Sequence, residues 1–219
     1  MRILIVAATK PEIVPVLSRM YSTPIGETCV DSYTHGAYDV DVIITGIGMV
    51  ATAVWCSRAL TQTPYDLALN LGICGSFDKA LAPGTVVHVV SDRIAELGAE
   101  DGDQFMTLGE MELAGESEFT NTSPPKNPAL DPLPTVSGIT VNTAHGNKKS
   151  IAAIVKRFSP QVESMEGAAF MSACLVHKVP FAQVRAVSNI VEMRNRDAWK
   201  IPEAIKALGE TALRILDQA

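Results

Sequence analysis

The sequence has no cluster of lysine and arginine, and its formal charge is −6. Both features argue against nucleic acid as a partner. Paired cysteines are missing as well: Cys29, Cys56, Cys74 and Cys174 stand far apart, none at metal-ligand spacing, each in largely apolar sequence. They read as reduced packing residues of a cytoplasmic protein. No long apolar run is present. Ile3 to Ala8 is short and runs into Lys10 and Glu12, which fits a buried first strand and neither a signal peptide nor a membrane span. His35, His88 and His177 lack acidic or cysteine neighbours at ligand spacing, so no metal site is expected. Ser137, in Val136-Ser137-Gly138, does not sit in a nucleophile elbow. Repeats and an interdomain linker are also lacking, and 219 residues with 47% hydrophobic content suffice for one domain spanning 1–219.

What is present alternates short β-rich runs with helix-like stretches, the pattern of an α/β layer fold. Strands are expected at Ile3 to Ala8, Val40 to Thr45, Leu67 to Leu71, Thr85 to Ser91, Gly138 to Asn142 and Pro180 to Ser188. Helices are expected at Pro11 to Met20, Met49 to Leu60, Lys148 to Phe158 and Ile201 to Leu216. Between about Ile94 and Pro134 acids and prolines accumulate, and this stretch is expected to be a long loop or lid, since so long an irregular segment in a compact domain usually serves a site or is disordered.

Ligands of an open α/β sheet collect beyond the carboxyl ends of its strands. Glu12, where the first strand hands over to a helix, is therefore a candidate site residue, although a helix dipole also favours an acid in that turn. Gly46-Ile47-Gly48 opens a helix and matches Gly-x-Gly-x-x-Ala, but the acid that follows, Asp66, precedes the next strand where a ribose-binding acid should come after it, which discounts a dinucleotide. The backbone N–H groups of such a turn remain available to a ribose or an anion. Gly72 and Gly75, within Asn70 to Ser76, allow backbone to approach a flat ligand. Glu163 and Glu166, in Val162-Glu163-Ser164-Met165-Glu166-Gly167-Ala168-Ala169-Phe170, would share one side of a turn if the stretch is helical. His145 could act as a base, but in Thr143-Ala144-His145-Gly146 it reads as a loop histidine with local hydrogen bonds. Asn189, at the end of the last strand, can both donate to and accept from a heterocycle or can simply hold a turn. Arg194 and Arg196 read by default as a solvated cluster with Glu192 and Asp197.

Together, Glu12, Gly46-Ile47-Gly48, Asn70 to Gly75, Met165-Glu166-Gly167-Ala168-Ala169 and Arg185 to Asn189 resemble the nucleoside phosphorylase and nucleosidase family, in order and over nearly the whole chain. The resemblance implies a three-layer αβα sandwich around a twisted mixed β-sheet. It also implies a nucleoside substrate, glycosidic cleavage without metal or organic cofactor, no nucleic-acid or membrane partner, and a homo-oligomer. By the same resemblance, Glu12 activates the attacking water, Glu166 binds the ribose hydroxyls with Met165 against the sugar, Gly72 and Ile73 contact substrate, and Asn189 hydrogen-bonds the departing purine. Relatives that cleave adenine nucleosides carry aspartate in place of Asn189; an amide can donate to a 6-oxo group, so a hypoxanthine-type base is expected. Ile73 stands where several nucleosidases have a hydroxyl residue. Arg194 is a candidate for a distal carboxylate on the substrate. Within the family, an adenine nucleosidase and a phosphorylase are the alternatives. A nucleoside-binding protein without turnover is the third, against which Glu12 and Glu166 both argue.

Overall fold

A computed structural model describes residues 1–23 and 30–219. Cys29 lies outside them. In chain order the elements are β1 (Arg2–Ala7), α1 (Lys10–Leu17), β2 (Tyr21–Thr23), β3 (Asp31–His35), β4 (Tyr38–Ile44), α2 (Met49–Gln62), β5 (Leu67–Ser76) and β6 (Val86–Ile94). There follow β7 (Gly98–Asp101), β8 (Gln104–Thr107), β9 (Glu118–Thr120), β10 (Thr135–Thr140), α3 (Lys148–Phe158), β11 (Val162–Ser164), α4 (Gly167–His177), β12 (Phe181–Ile190) and α5 (Ile201–Asp217).

The main sheet runs β11-β10-β6-β12-β5-β1-β4-β3-β2, with β9 also on β6. It is mixed: β1 is parallel to β4 and β5, β12 is parallel to β5, and β12 is antiparallel to β6. At one end the sheet curls until β11 pairs antiparallel with β5, so that β5, β12, β6, β10 and β11 close a small ring. The apolar runs of β1 and β5, buried on both faces, are what such central strands require. On one face α1 and α5 join a core with Ile13, Val16, Leu208 and Ile215. On the other, α2 and α4 bring Cys56, Leu60, Phe170 and Met171 to the sheet. Gly209 on α5 leaves the space into which Pro15 of α1 packs.

Two expectations are corrected. The stretch containing Glu163 is not one helix: Val162–Ser164 is a strand, and the helix begins at Gly167 with Glu166 as its cap. Glu163 and Glu166 are therefore held by different elements. Residues 94–134 are not a continuous irregular lid. Gly98–Asp101 pairs with Gln104–Thr107 as a hairpin, Glu118–Thr120 pairs with β6, and Asn121 and Asn127 are buried, donating to the carbonyls of Phe181 and Ile215. The polar, proline-rich composition concealed these short pairings. Cys56, Cys74 and Cys174 are buried free thiols; burial pushes the first two up to about 12.

Candidate active site

A cavity of about 430 Å³ opens beyond the carboxyl ends of β1, β5, β10, β11 and β12, where this sheet topology places ligands. One wall carries two buried carboxylates, Glu12 and Glu166, each 6% exposed. The backbone aims Glu12. Its Oε2 accepts from the Thr9 N–H (2.8 Å) and hydroxyl (2.7 Å), and its Oε1 accepts from the Ile73 N–H (3.0 Å). The same N-terminal turn that favours an acid for capping thus fixes this carboxylate at the cavity. Glu166 caps α4, and its Oε1 accepts from the Gly48 N–H at 3.1 Å. Gly48 precedes α2 with φ of +103°, a conformation suited to glycine. The glycine turn therefore spends this donor on the protein's own carboxylate.

Beneath the two acids lies Arg185, with no exposed surface. It is the cross-strand partner of Gly72, and a Cβ at Gly72 would run into both its guanidinium and the Glu12 carboxylate. Arg185 donates to Asn70 Oδ1, while Asn70 donates to the Val6 carbonyl. Arg185 Nη1 stands 3.6 Å from Glu166 Oε2, and Nη1 and Nε have no hydrogen-bond acceptor. The charge is thus held under the cavity floor with donor capacity left over. A second buried group anchors the start of α4: Asp92 accepts from Gln183 (2.8 Å) and Thr140 (2.9 Å), and the Thr140 hydroxyl accepts from the Ala168 N–H. Burial raises Asp92 to about 6, against the pull of those two hydrogen bonds.

The other end of the cavity is built on one rung of the closed ring. Gly75 pairs with Glu163 on one side and Asn189 on the other. A Cβ at Gly75 would lie 3.4 Å from both the Asn189 amide nitrogen and Glu163 Cγ. A β-bulge at Ser188 shifts the register just before Asn189. Asn189 Nδ2 donates to the Ile190 carbonyl and Oδ1 accepts from the Ser188 hydroxyl, leaving one N–H and one lone pair for a ligand. Glu163 is paired with His145: Oε1 accepts from its backbone N–H (3.0 Å) and Oε2 lies 2.7 Å from Nδ1. Burial raises the Glu163 carboxyl, and His145 pulls it back down. Phe77 meets the His145 ring edge-on.

Glu12, Ile73, Met165, Glu166 and Asn189 all line this cavity. Gly72 does not: it faces Arg185 and Glu12, so its close approach is to protein and not to a flat ligand. Arg194 stands apart from the main cavity, bordering a small recess beside His145 and Asn189, with its guanidinium 5.6 Å from the Trp199 ring centroid. Three participants went unassigned in the sequence. His145, read as a loop residue with local bonds, bonds a glutamate of another element. Thr9 and Arg185 carried no assigned role, although an arginine inside an apolar strand, as in Val184-Arg185-Ala186, is a signal of a buried charge with a task.

A mixed curled sheet whose strand ends gather three acids and an asparagine around a nucleoside-sized cavity defines the class, and comparison with known proteins agrees. The chain belongs to the phosphorylase superfamily, whose family model matches residues 2–219. Among curated relatives, it is 32% identical over 184 residues to the futalosine hydrolase of Thermus thermophilus, covering 78% of this chain and 79% of that one. It is also 32% identical over 180 residues to the futalosine hydrolase of Streptomyces coelicolor, covering 77% and 74%. A solved futalosine hydrolase of Helicobacter pylori has the same fold, with a TM-score of 0.81 at 15% identity over 99% of this chain and 97% of that one.

Proposed function

We infer that this chain is a futalosine hydrolase, cleaving the N-glycosidic bond of futalosine to hypoxanthine and dehypoxanthine futalosine, a step of menaquinone biosynthesis. The observation that carries this reading is the placing of two buried carboxylates, Glu12 and Glu166, at one end of the cavity and of the Asn189 amide, beside Glu163, at the other, in a chain 32% identical to two futalosine hydrolases.

Glycosidic cleavage builds positive charge on the sugar and negative charge on the leaving base, so both ends need stabilising and water must be delivered. Glu12, already aimed by Thr9 and Ile73, takes a proton from the attacking water. Glu166 accepts from the ribose hydroxyls with its Oε2 edge, since Oε1 is held by Gly48, and Met165 packs against the sugar. Ile73 lines the cavity as an apolar contact. Asn189 uses its spare N–H on the departing 6-oxopurine. Arg194 meets a carboxylate at the far end of the substrate. Residues 1–219 act as one domain without cofactor, in the cytoplasm. The exposed apolar side chains Ile47, Val50, Val54 and Val176 support a homo-oligomer by offering a face to bury. Among the described residues, no helix is long and apolar enough to cross a membrane.

The test is hypoxanthine release from futalosine in phosphate-free buffer, run beside inosine and methylthioadenosine, with Glu12→Gln as control. Release from futalosine that Glu12→Gln abolishes is expected. A phosphate requirement would make the protein a phosphorylase, preferential adenine release an adenine nucleosidase, and tight binding with no release a binding protein.

A further inference from the structure

The three strands β11, β5 and β12 place Glu163 and Asn189 across Gly75, whose missing side chain leaves room for Val191 Cγ2 beside the two polar groups. Both line the cavity, as does His145. Glu163 is 6% exposed, and the side chain bonded to it is His145, which also holds it through its backbone N–H. Each carboxylate oxygen accepts one of these bonds and keeps a lone pair. The pair therefore presents a fixed acceptor beside the spare donor of Asn189.

An acceptor next to a donor is the complement of one purine edge and not of another. A 6-oxopurine offers N1–H as a donor beside O6 as an acceptor. A 6-aminopurine reverses both: N1 is a lone pair and the amino group donates. Against a carboxylate, that N1 lone pair is repelled and left unpaired. We propose that the His145–Glu163 pair selects the base: Glu163 accepts the N1–H of a 6-oxopurine while Asn189 donates to O6, and His145 is a positioning residue that keeps Glu163 an acceptor. This rests on the nucleoside hydrolase reading for its substrate, but the selection is a binding property and is measurable without turnover. Deprived of the histidine, a carboxyl buried this deeply takes up a proton more readily. It then becomes a donor, the group that N1 of a 6-aminopurine accepts.

The experiment compares kcat/KM for futalosine and its 6-amino analogue, which share the 5′ arm and differ only at the base, in the wild type, Glu163→Gln, His145→Ala and His145→Asn. Calorimetric binding of free hypoxanthine and adenine is measured alongside. The wild type is expected to favour the 6-oxo compound, and Glu163→Gln and His145→Ala are expected to lower that preference by about tenfold or more. His145→Asn, whose amide N–H can stand near the position of Nδ1–H, is expected to retain more of the preference than His145→Ala. A merely structural pair would lower both substrates equally. An unchanged ratio in both Glu163→Gln and His145→Ala, or a wild type that binds hypoxanthine and adenine alike, overturns the proposal. Should no substrate be cleaved, the hydrolase reading fails, and the ratio of hypoxanthine to adenine affinity across the same variants still decides this one.

Discussion

Glu12 and Arg185, on α1 and β12, both border the space beside the α-carbon of Gly72, so that a side chain there would run into the buried guanidinium and reach the acid. Gly72→Ala tests this arrangement. It is expected to cost about 1–3 kcal/mol of stability through overpacking. Futalosine turnover should fall far more than the melting shift accounts for, because the added methyl displaces Glu12 from Thr9 and Ile73. Thermal unfolding and kcat on the same preparations check it.

Glu12→Gln keeps the shape and removes the base, and its single amide oxygen can accept from Thr9 or from Ile73 but not from both. A loss of about 10²–10⁴-fold in kcat is expected, with KM little changed and the melting temperature lowered only by the lost backbone bond. A variant that loses affinity instead of rate would show Glu12 to be structural.

Asp92 provides a pH signature. Its folded-state value, about 6, lies above the ordinary 3.8 because it is buried. The native state therefore binds its proton more tightly than the unfolded chain, and stability from this group falls as pH rises through 4 to 6. The loss is of the order of 3 kcal/mol at most, from a shift of about two units. In Asp92→Asn that decline disappears, so the melting temperature of wild type relative to the variant should drop between pH 4 and 6 and be level above 7. Melting curves across that range check it.

Arg194, with its guanidinium 5.6 Å from the Trp199 ring centroid in the recess beside the cavity, is expected to act on affinity alone. Arg194→Ala should raise KM for carboxylated substrates by about fivefold to tenfold, in line with loss of one charge-assisted hydrogen bond, and leave KM for inosine unchanged. An equal effect on both substrates would assign it a structural part.

Much of this architecture is readable in the chain because its causes are local. A buried parallel strand must be apolar along its length, as Ile3 to Ala8 is, and a helix start favours an acid, as at Glu12; both signals sit within one turn or one strand. The end of β12 and the glycine turn before α2 were legible for the same reason. The short pairings at Gly98–Asp101 and Glu118–Thr120 were not, since a three- or four-residue strand with polar composition earns its place only from a neighbour already present.

The sequence by itself determined an α/β fold, the positions of Glu12 and Asn189 at element ends, and membership in a nucleoside-cleaving family. Tertiary structure alone decided that Glu163 leaves the helix of Glu166 to pair with His145, that Gly72 yields its space to Arg185, and that Gly75 joins Glu163 to Asn189. Those relations depend on the register of strands far apart in the chain. Register is set where the sheet curls and closes, and a shift of one residue would turn each of these side chains to the opposite face.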